Sequence, residues 1–139
     1  MMTAKVGVAI RPMSDSTSRF DIPARPERRY RSGGVSHEGG TAFYLIPEPS
    51  LSVEELDEHL SGVLGGTRYV KGDWFDFPMP VYLVHDREVS TAFRTVVREG
   101  RIELHVLPKT DSTGLEALFR ALCDRTAVEW TVECHTEKP

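Results

Sequence analysis

Two stretches of this chain carry the signals of a capped amphipathic helix, and they constrain the fold more than any other feature. In the first stretch, Ser52 and Glu55 have the spacing of a capping box, and Gly65 and Gly66 follow the last apolar residue. The apolar residues between them recur at helical spacing: Val53, Leu56, Leu60, Val63 and Leu64. Because a helix with one apolar stripe must bury it against another layer, we predict a layered domain.

The second helical stretch follows Pro108. A polar cluster at residues 110–113 offers several N-caps, and Thr113 and Glu116 have the spacing of a second capping box. One apolar face follows: Leu115, Leu118, Phe119 and Leu122. We predict that both helices cover one common face of a sheet.

Short segments with strand character lie around and between the helices. Residues 41–46 (TAFYLI) and 81–85 (VYLVH) are rich in β-branched and aromatic residues. Residues 127–134 alternate between apolar and polar side chains, as expected of a strand with one buried face. We predict a strand at each of these three positions.

Two hairpins are predicted between the helices. The first spans residues 67–77, with a turn at residues 71–73 (KGD). The second involves residues 89–97, which fit either a helix with one apolar face or a strand. Their β-branched residues favour a strand, and the Glu-Gly pair at positions 99–100 favours a turn into the alternating run at residues 101–107. A helix at residues 89–97 would instead give a three-helix arrangement.

From residue 41 onward, the predicted order is strand, helix, about four strands, helix and strand. Successive strands joined by short turns favour an antiparallel sheet. We therefore predict an α+β protein, a two-layer sandwich whose mainly antiparallel meander is covered on one face by two amphipathic helices. The compact domain is placed at residues 41–139. Residues 1–40 are polar and rich in Arg, Gly and Pro, with a candidate edge strand at residues 5–10 and a loop or mobile arm at residues 13–40.

The composition argues against membrane and disulfide-rich proteins. The longest apolar runs have five residues, far short of a membrane span, and the first residues lack the long apolar segment of a secretory signal. Two cysteines, Cys123 and Cys134, are too few for a disulfide scaffold. We expect a cytoplasmic protein without membrane contact.

The charge is unevenly distributed along the chain. Residues 1–40 have seven basic and four acidic residues, whereas residues 41–139 have ten basic and seventeen acidic residues. The positive charge of this basic arm is concentrated in residues 25–31, which contain Arg25, Arg28, Arg29, Tyr30 and Arg31. Such an arm can bind the phosphate backbone of a nucleic acid. The alternative is a solvated linker, because Asp21 and Glu27 dilute the positive charge.

An aromatic cluster lies between the two helices. It consists of Trp74, Phe75, Phe77 and Met79, set among acidic residues and prolines. On a strand, Trp74 would lie on the face opposite to Phe75 and Phe77. One of these faces can pack in the core, and the other then needs a second layer, a protein partner or a ligand.

No motif in the chain defines a catalytic or cofactor site. The glycine pairs lack the Lys-Ser/Thr of a phosphate-binding loop, no nucleophile elbow occurs, and we predict neither a metal nor a cofactor. The weak catalytic candidates are His85, Asp86 and His105, which the meander would place on one sheet. Surface histidines without a catalytic role fit the same pattern.

The leading hypothesis for function is a non-enzymatic protein-interaction or regulatory module. It would self-associate as a homodimer, or bind another protein, through an exposed strand edge or through residues 74–79. One alternative is a nucleic-acid accessory protein that uses the basic arm. The other is a small enzyme or ligand-binding protein with a His/Asp site on the sheet.

Overall fold

The structure is a computed structural model that describes residues 19–25, 27–31, 34–38, 40–73 and 78–137 of the 139-residue chain. For residues 27–31, 34–38, 73 and 137 it describes the backbone alone. The elements in chain order are β1 (Glu27–Arg31), β2 (Gly34–Glu38), β3 (Gly40–Glu48), α1 (Val53–Leu64), β4 (Tyr69–Asp73), β5 (Val81–Asp86), β6 (Thr91–Arg98), β7 (Arg101–Val106), α2 (Ser112–Arg125) and β8 (Glu129–Glu137).

The strands from β3 to β8 form one six-stranded sheet in the order β4-β5-β6-β7-β3-β8, and β1 pairs with β2 separately. All neighbouring strands in the larger sheet are antiparallel. β3 lies between β7 and β8, so α2 joins two parallel strands that flank β3, a split β-α-β unit. Neither described helix is long and apolar enough to span a membrane. The predicted α+β architecture, with two helices packed on an antiparallel sheet, is confirmed.

The first helix begins at its predicted cap. Ser52 Oγ accepts a hydrogen bond from the backbone N–H of Glu55 at 3.2 Å, and the Glu55 carboxylate accepts one from the backbone N–H of Ser52 at 3.0 Å. The predicted apolar stripe faces the core, with Leu56, Leu60 and Leu64 buried. The first capping box is therefore confirmed.

Replacing Ser52 by alanine is expected to lower the free energy of unfolding by about 1 kcal/mol, because the N–H of Glu55 loses its acceptor. Urea denaturation of the Ser52→Ala variant measures this loss. Ser50→Ala is the matched control, since Ser50 is exposed and lies just outside the helix. Its effect should stay within about 0.5 kcal/mol, and an equal loss in both variants would argue against the cap.

Residues 89–97 enter a strand at Thr91 rather than a helix. β6 pairs with β7 from Phe93 opposite Val106 to Arg98 opposite Arg101. Gly100, in the connecting turn, has a φ of 79°, a conformation that glycine adopts without steric cost. The predicted hairpin is confirmed, and the three-helix alternative is wrong.

Residues 71–73 do not form the predicted hairpin turn. They belong to β4, where Lys71 lies opposite Val84 and Gly72 lies opposite Leu83 of β5. The Lys-Gly-Asp triplet has turn propensity, but the backbone ladder with β5 outweighs this local preference.

The second helix is capped by a residue of the predicted polar cluster at residues 110–113, but not by Thr113. Asp111 is the N-cap, and its carboxylate accepts a hydrogen bond from the backbone N–H of Thr113 at 2.8 Å. Glu116 is buried and instead accepts hydrogen bonds from Arg19 and Arg120. The capping box predicted at Thr113 and Glu116 is therefore wrong.

The N-terminal segment contributes more structure than the sequence suggests. β1 and β2 lie within the residues predicted to be a loop or arm. Phe20 is fully buried in the main core, with ring centroids 5.1 Å from Phe43 and 5.6 Å from Phe119. Ser112 Oγ also donates a hydrogen bond to the Phe20 carbonyl. The candidate edge strand at residues 5–10 lies outside the described residues.

Candidate interaction surface

The six-stranded sheet has one face covered by both helices and one face on which neither helix packs. On the covered face, Phe43, Val84 and Phe93 share a core with Leu56 of α1 and Leu118 of α2. Side chains alternate between the two faces along each strand, so the intervening residues point away from the helices. We call this second side the open face. It carries one polar and one apolar group of side chains.

A buried carboxylate lies at the centre of the polar group. Glu103 on β7 is only 2% exposed, although it points to the open face. Its Oε2 accepts hydrogen bonds from Nε of Arg98 at 2.9 Å and from Nε of Arg101 at 2.7 Å. Its Oε1 lies 2.8 Å from Nε2 of His105. Together with Arg94, which contacts His105, these residues are called the Glu103 cluster.

The surroundings of Glu103 favour its charged form. Burial raises the pKa of the carboxyl group, but hydrogen bonds from His105 and Arg101, together with the charges of Arg101 and Arg98, outweigh burial and lower the pKa to about 2. Burial also lowers the pKa of the Arg94 guanidinium. Because Glu103 stays ionised at neutral pH, it holds two guanidinium groups in place.

The β6–β7 hairpin brings this cluster together. Arg98 and Arg101 lie directly opposite each other across the turn, where two like charges destabilise a hairpin. Glu103 follows two residues after Arg101 on the same face, so its carboxylate reaches both side chains. The Arg98 and Arg101 side chains remain 41% and 35% exposed. The cluster therefore presents guanidinium groups to solvent and hides its carboxylate.

His105 has a hydrogen-bond partner at each ring nitrogen. Its Nδ1 lies 3.1 Å from Nη2 of Arg94, and its Nε2 contacts Glu103. A guanidinium only donates hydrogen bonds, so Nδ1 must accept, and the ring hydrogen must sit on Nε2 and be donated to the carboxylate. No lone pair is left on the ring for a general base, so this geometry does not support a catalytic role for His105.

An aromatic stack extends the polar group towards β8. The Tyr44 ring on β3 stacks on the His135 ring of β8, with centroids 3.9 Å apart and planes 24° from parallel. The guanidinium of Arg101 lies 4.3 Å from the Tyr44 ring centroid, a cation–π distance. His135 Nε2 also lies 3.0 Å from a carboxylate oxygen of Glu133. These contacts connect β7, β3 and β8 into one continuous polar surface.

The second group on the open face is apolar. Val70 on β4 and Leu83 on β5 are each 46% exposed. Leu83 lies opposite Gly72, which has no side chain to cover it. Val81 and Val96 lie opposite each other on β5 and β6, and both are buried. We call Val70, Leu83, Val81 and Val96 the apolar patch.

The three weak catalytic candidates are not brought to one site. His85 is exposed on the open face, whereas Asp86, the next residue, is fully buried on the covered face. Asp86 accepts two hydrogen bonds from Arg68, at 2.9 and 3.0 Å. His85 and His105 share the open face, but β6 separates their strands and their register differs by two residues, which places their Cα atoms about 12 Å apart.

The basic arm is described in part. The Arg25 guanidinium donates hydrogen bonds to the carbonyl oxygens of Pro108 at 3.2 Å and Thr110 at 2.7 Å, so this residue is anchored to the domain. The other arm residues lie in β1, and their side chains are outside the described part: Arg28, Arg29, Tyr30 and Arg31.

The aromatic cluster falls mostly outside the described residues. Met79 is half-buried in the loop that precedes β5. The other members lie outside the described ranges: Trp74, Phe75 and Phe77. Their assignment to a core, an interface or a ligand site stays a prediction.

The Glu103 cluster was only partly visible in the sequence. Strand alternation places Arg101, Glu103 and His105 on one face, and this is the signal that could have pointed to the cluster. The contributions of Arg98 and Arg94 depend on the pairing of β6 with β7, which alternation does not provide. Among the described residues, no group of three or more His, Cys, Asp or Glu side chains is placed to hold a metal ion.

The open face combines hydrogen-bonded polar side chains with partly exposed apolar ones. The Glu103 carboxylate and the His105 ring are satisfied by neighbouring side chains, whereas a catalytic group needs an atom available to a substrate. The adjacent apolar patch exposes side chains that gain by being covered.

No protein-family model, no curated protein and no solved structure matches this chain.

Proposed function

We propose that this protein is a non-enzymatic protein-interaction module that self-associates through the apolar patch. The observation that carries the proposal is the position of Val70 and Leu83 on adjacent strands, both 46% exposed and both on the open face. Exposed apolar side chains that cluster, rather than scatter, mark contact surfaces. A second copy that covered them would remove their apolar surface from water, which is favourable.

The charge distribution favours contact through the patch over contact through the helices. α1 contains no Lys or Arg and exposes three carboxylates, those of Glu54, Glu55 and Glu58. By strand alternation, the β4 and β5 residues on the open face have no formal charge: Val70, Gly72, Val81, Leu83 and His85. Two copies that met through α1 would therefore repel each other. The patch lets them meet with the least repulsion.

The Glu103 cluster suits the border of such a contact. Protein interfaces combine an apolar centre with a polar, solvated rim. Glu103 and His105 are already hydrogen-bonded within the chain, so a partner does not have to satisfy them. Arg98 and Arg101 are partly exposed and can keep their water at the rim. The polar half of the open face therefore adds little desolvation cost.

The apolar patch alone is small. Three strands about 5 Å apart and about 20 Å long cover roughly 300 Å² per copy, below the roughly 800 Å² per partner of a stable interface. Trp74, Phe75 and Phe77 follow directly after β4 in the sequence, and we include them in the proposed contact. A concentration-dependent association of moderate affinity is expected.

Replacing Leu83 by aspartate is expected to weaken self-association by at least about tenfold, because the new carboxylate would lose its water in an apolar contact. Sedimentation equilibrium of the full chain, over the micromolar to millimolar range, measures the dissociation constant. The wild-type mass is expected to rise with concentration, and the Leu83→Asp mass to stay closer to that of a monomer.

Thr113→Asp is the matched control, because it adds the same charge at an exposed position on the helical layer. Its association constant should stay within about twofold of the wild type. Circular dichroism verifies that both variants fold. A wild-type chain that remains a monomer at millimolar concentration, or a Leu83→Asp variant that associates as well as the wild type, would overturn the proposal.

A further inference from the structure

We propose that the edge strand β8 pairs antiparallel with β8 of a second copy, in the register that places Cys134 opposite Cys134. This contact goes beyond the apolar patch and does not rest on it, because it uses the edge of the sheet rather than its open face. It would join two six-stranded sheets into one continuous sheet.

The two edges of the sheet differ in their protection against pairing. β4, at one edge of the described sheet, contains Lys71 and Gly72 among its five described residues, and a Lys and a Gly on an edge strand discourage pairing with another chain. β8, at the other edge of the described sheet, has nine residues that pair one-to-one with β3, without a bulge. β8 contains no Pro, Gly or Lys. An edge this long and regular is a template for another strand.

Symmetry restricts the register of such a pair. Two copies related by a two-fold axis perpendicular to the sheet pair their β8 strands antiparallel and keep their helices on the same side. Core-facing residues such as Val132 and Cys134 then lie opposite core-facing residues, and outward residues such as Glu133 lie opposite outward residues. Each allowed register therefore has one residue that faces itself across the axis.

Charge selects among these registers. With Cys134 on the axis, Glu133 lies opposite His135 of the second copy, twice by symmetry, and Thr131 lies opposite Glu137. With Glu133 on the axis, two carboxylates face each other, and with His135 on the axis, Glu133 faces Glu137. Like charges directly opposite each other destabilise a sheet, whereas a carboxylate and an imidazole can form a hydrogen bond or ion pair. Charge therefore disfavours Glu133 and His135 on the axis and is compatible with Cys134.

The register with Val132 on the axis also avoids facing carboxylates, but it crowds the connection between α2 and β8. Residues 127–128 of one copy would then lie against residues 136–137 of the other. Trp130 would be brought towards the axis, although its Nε1 is held near the end of α2 by a hydrogen bond to Thr126 Oγ1 at 2.9 Å. With Cys134 on the axis, this connection lies beyond the paired residues.

Disulfide cross-linking between the two Cys134 residues measures whether this register forms. Directly opposite residues in an antiparallel pair have Cα atoms about 4.5–5.5 Å apart, within the roughly 4.4–6.8 Å that disulfides span. Cys134 is a free, half-buried thiol, and burial raises its pKa. Cross-linking therefore needs an alkaline buffer and an added oxidant. Two copper(II)-phenanthroline complexes each accept one electron, and the two thiol protons pass to the buffer as the S–S bond forms.

The experiment oxidises the full chain carrying Cys123→Ser, so that Cys134 is its only thiol. Leu83→Asp is added to disable the apolar patch, so the result reports on β8 alone. Most of this protein is expected to become a covalent dimer on a non-reducing gel, reversed by dithiothreitol. The matched control is Cys134→Ser with Leu83→Asp, which retains Cys123 on α2 and should cross-link at least about tenfold more slowly.

Charge exchange tests the register independently. His135→Glu places a carboxylate opposite Glu133 and should slow the cross-linking by at least about fivefold, and adding Glu133→Lys should restore the rate. Cross-linking of Cys134 that is no faster than that of Cys123 would overturn the proposal. Faster cross-linking through an introduced Val132→Cys, in a chain with Cys134→Ser, would also overturn it, because Val132 would then lie on the axis.

Discussion

Replacing Phe20 by alanine is expected to lower the free energy of unfolding by about 3–5 kcal/mol. Phe20 is fully buried, and its ring makes edge-to-face contacts with Phe43 at 5.1 Å and with Phe119 at 5.6 Å between centroids. Alanine would leave a cavity between β3 and α2, because both elements are fixed by the rest of the sheet and cannot close around a smaller side chain. Urea denaturation followed by circular dichroism measures the loss.

Asp21→Ala is the matched control, since Asp21 is the next residue and is exposed. Its effect should stay within about 0.5 kcal/mol, as for most exposed positions. The comparison separates the burial of Phe20 from any general effect of substitutions in this segment. A loss below about 1 kcal/mol for Phe20→Ala would mean that residues 19–25 are not part of the folded core.

The helices and the β6–β7 hairpin could be predicted because their signals are local. Ser52 and Glu55 are three positions apart, and the hydrogen bonds between them need no other part of the chain. The β-branched residues before Gly100 favour an extended backbone, and the glycine permits the tight turn that follows. Such features depend on neighbours in the sequence, which a sequence shows directly.

The burial of Phe20 could not be read from the sequence, because long-range contacts produce it. Arg19 donates two hydrogen bonds to Glu116, which lies 97 positions further along the chain. Phe20 itself lies in a stretch rich in Ser, Arg and Pro, which has the composition of a linker. The same long-range pair between Arg19 and Glu116 explains why the capping box predicted for α2 does not form. The Glu116 carboxylate is bonded to Arg19 and Arg120, and Asp111 caps α2 instead.

For the open face, the sequence likewise predicts only which residues of one strand share a face, and not which strands lie side by side. Alternation along β7 places Arg101 and Glu103 on one face, but Tyr44 joins them only because β3 pairs with β7. Leu83 is exposed partly because Gly72, on the neighbouring strand, has no side chain to cover it. Both the polar and the apolar group therefore depend on the pairing of segments that are distant in the sequence.

Replacing Glu103 by glutamine is expected to lower the free energy of unfolding by about 2–3 kcal/mol at neutral pH. Folding lowers the pKa of Glu103 from 4.5 to about 2. A carboxyl group of this kind stabilises the folded state fully above its unfolded pKa, and this contribution is lost as the pH falls through the folded pKa. The stabilisation should therefore disappear between about pH 4.5 and about pH 2.

The full pKa change of Glu103 corresponds to about 3.4 kcal/mol, and the expected loss of about 2–3 kcal/mol is smaller because it allows for solvent screening. Arg98 and Arg101 are 41% and 35% exposed, so water weakens their attraction to the carboxylate. Glutamine keeps the size of the side chain but turns an amide N–H group, which can only donate, towards guanidinium donors. The expected loss therefore combines a missing charge with a missing acceptor.

Urea denaturation of the wild type and Glu103→Gln at several pH values between about 7 and about 2.5 measures the difference. This difference should shrink as the pH falls below about 4.5, because the carboxyl group of the unfolded wild type then takes up a proton, whereas the folded one, with a pKa of about 2, stays ionised. Glu58→Gln is the control, since Glu58 is exposed on α1, and its effect should stay within about 0.5 kcal/mol throughout. A deficit of Glu103→Gln that is the same at every pH would assign the loss to packing. A deficit that closes in acid would mean that one ionised carboxylate holds the arginines of the open face together.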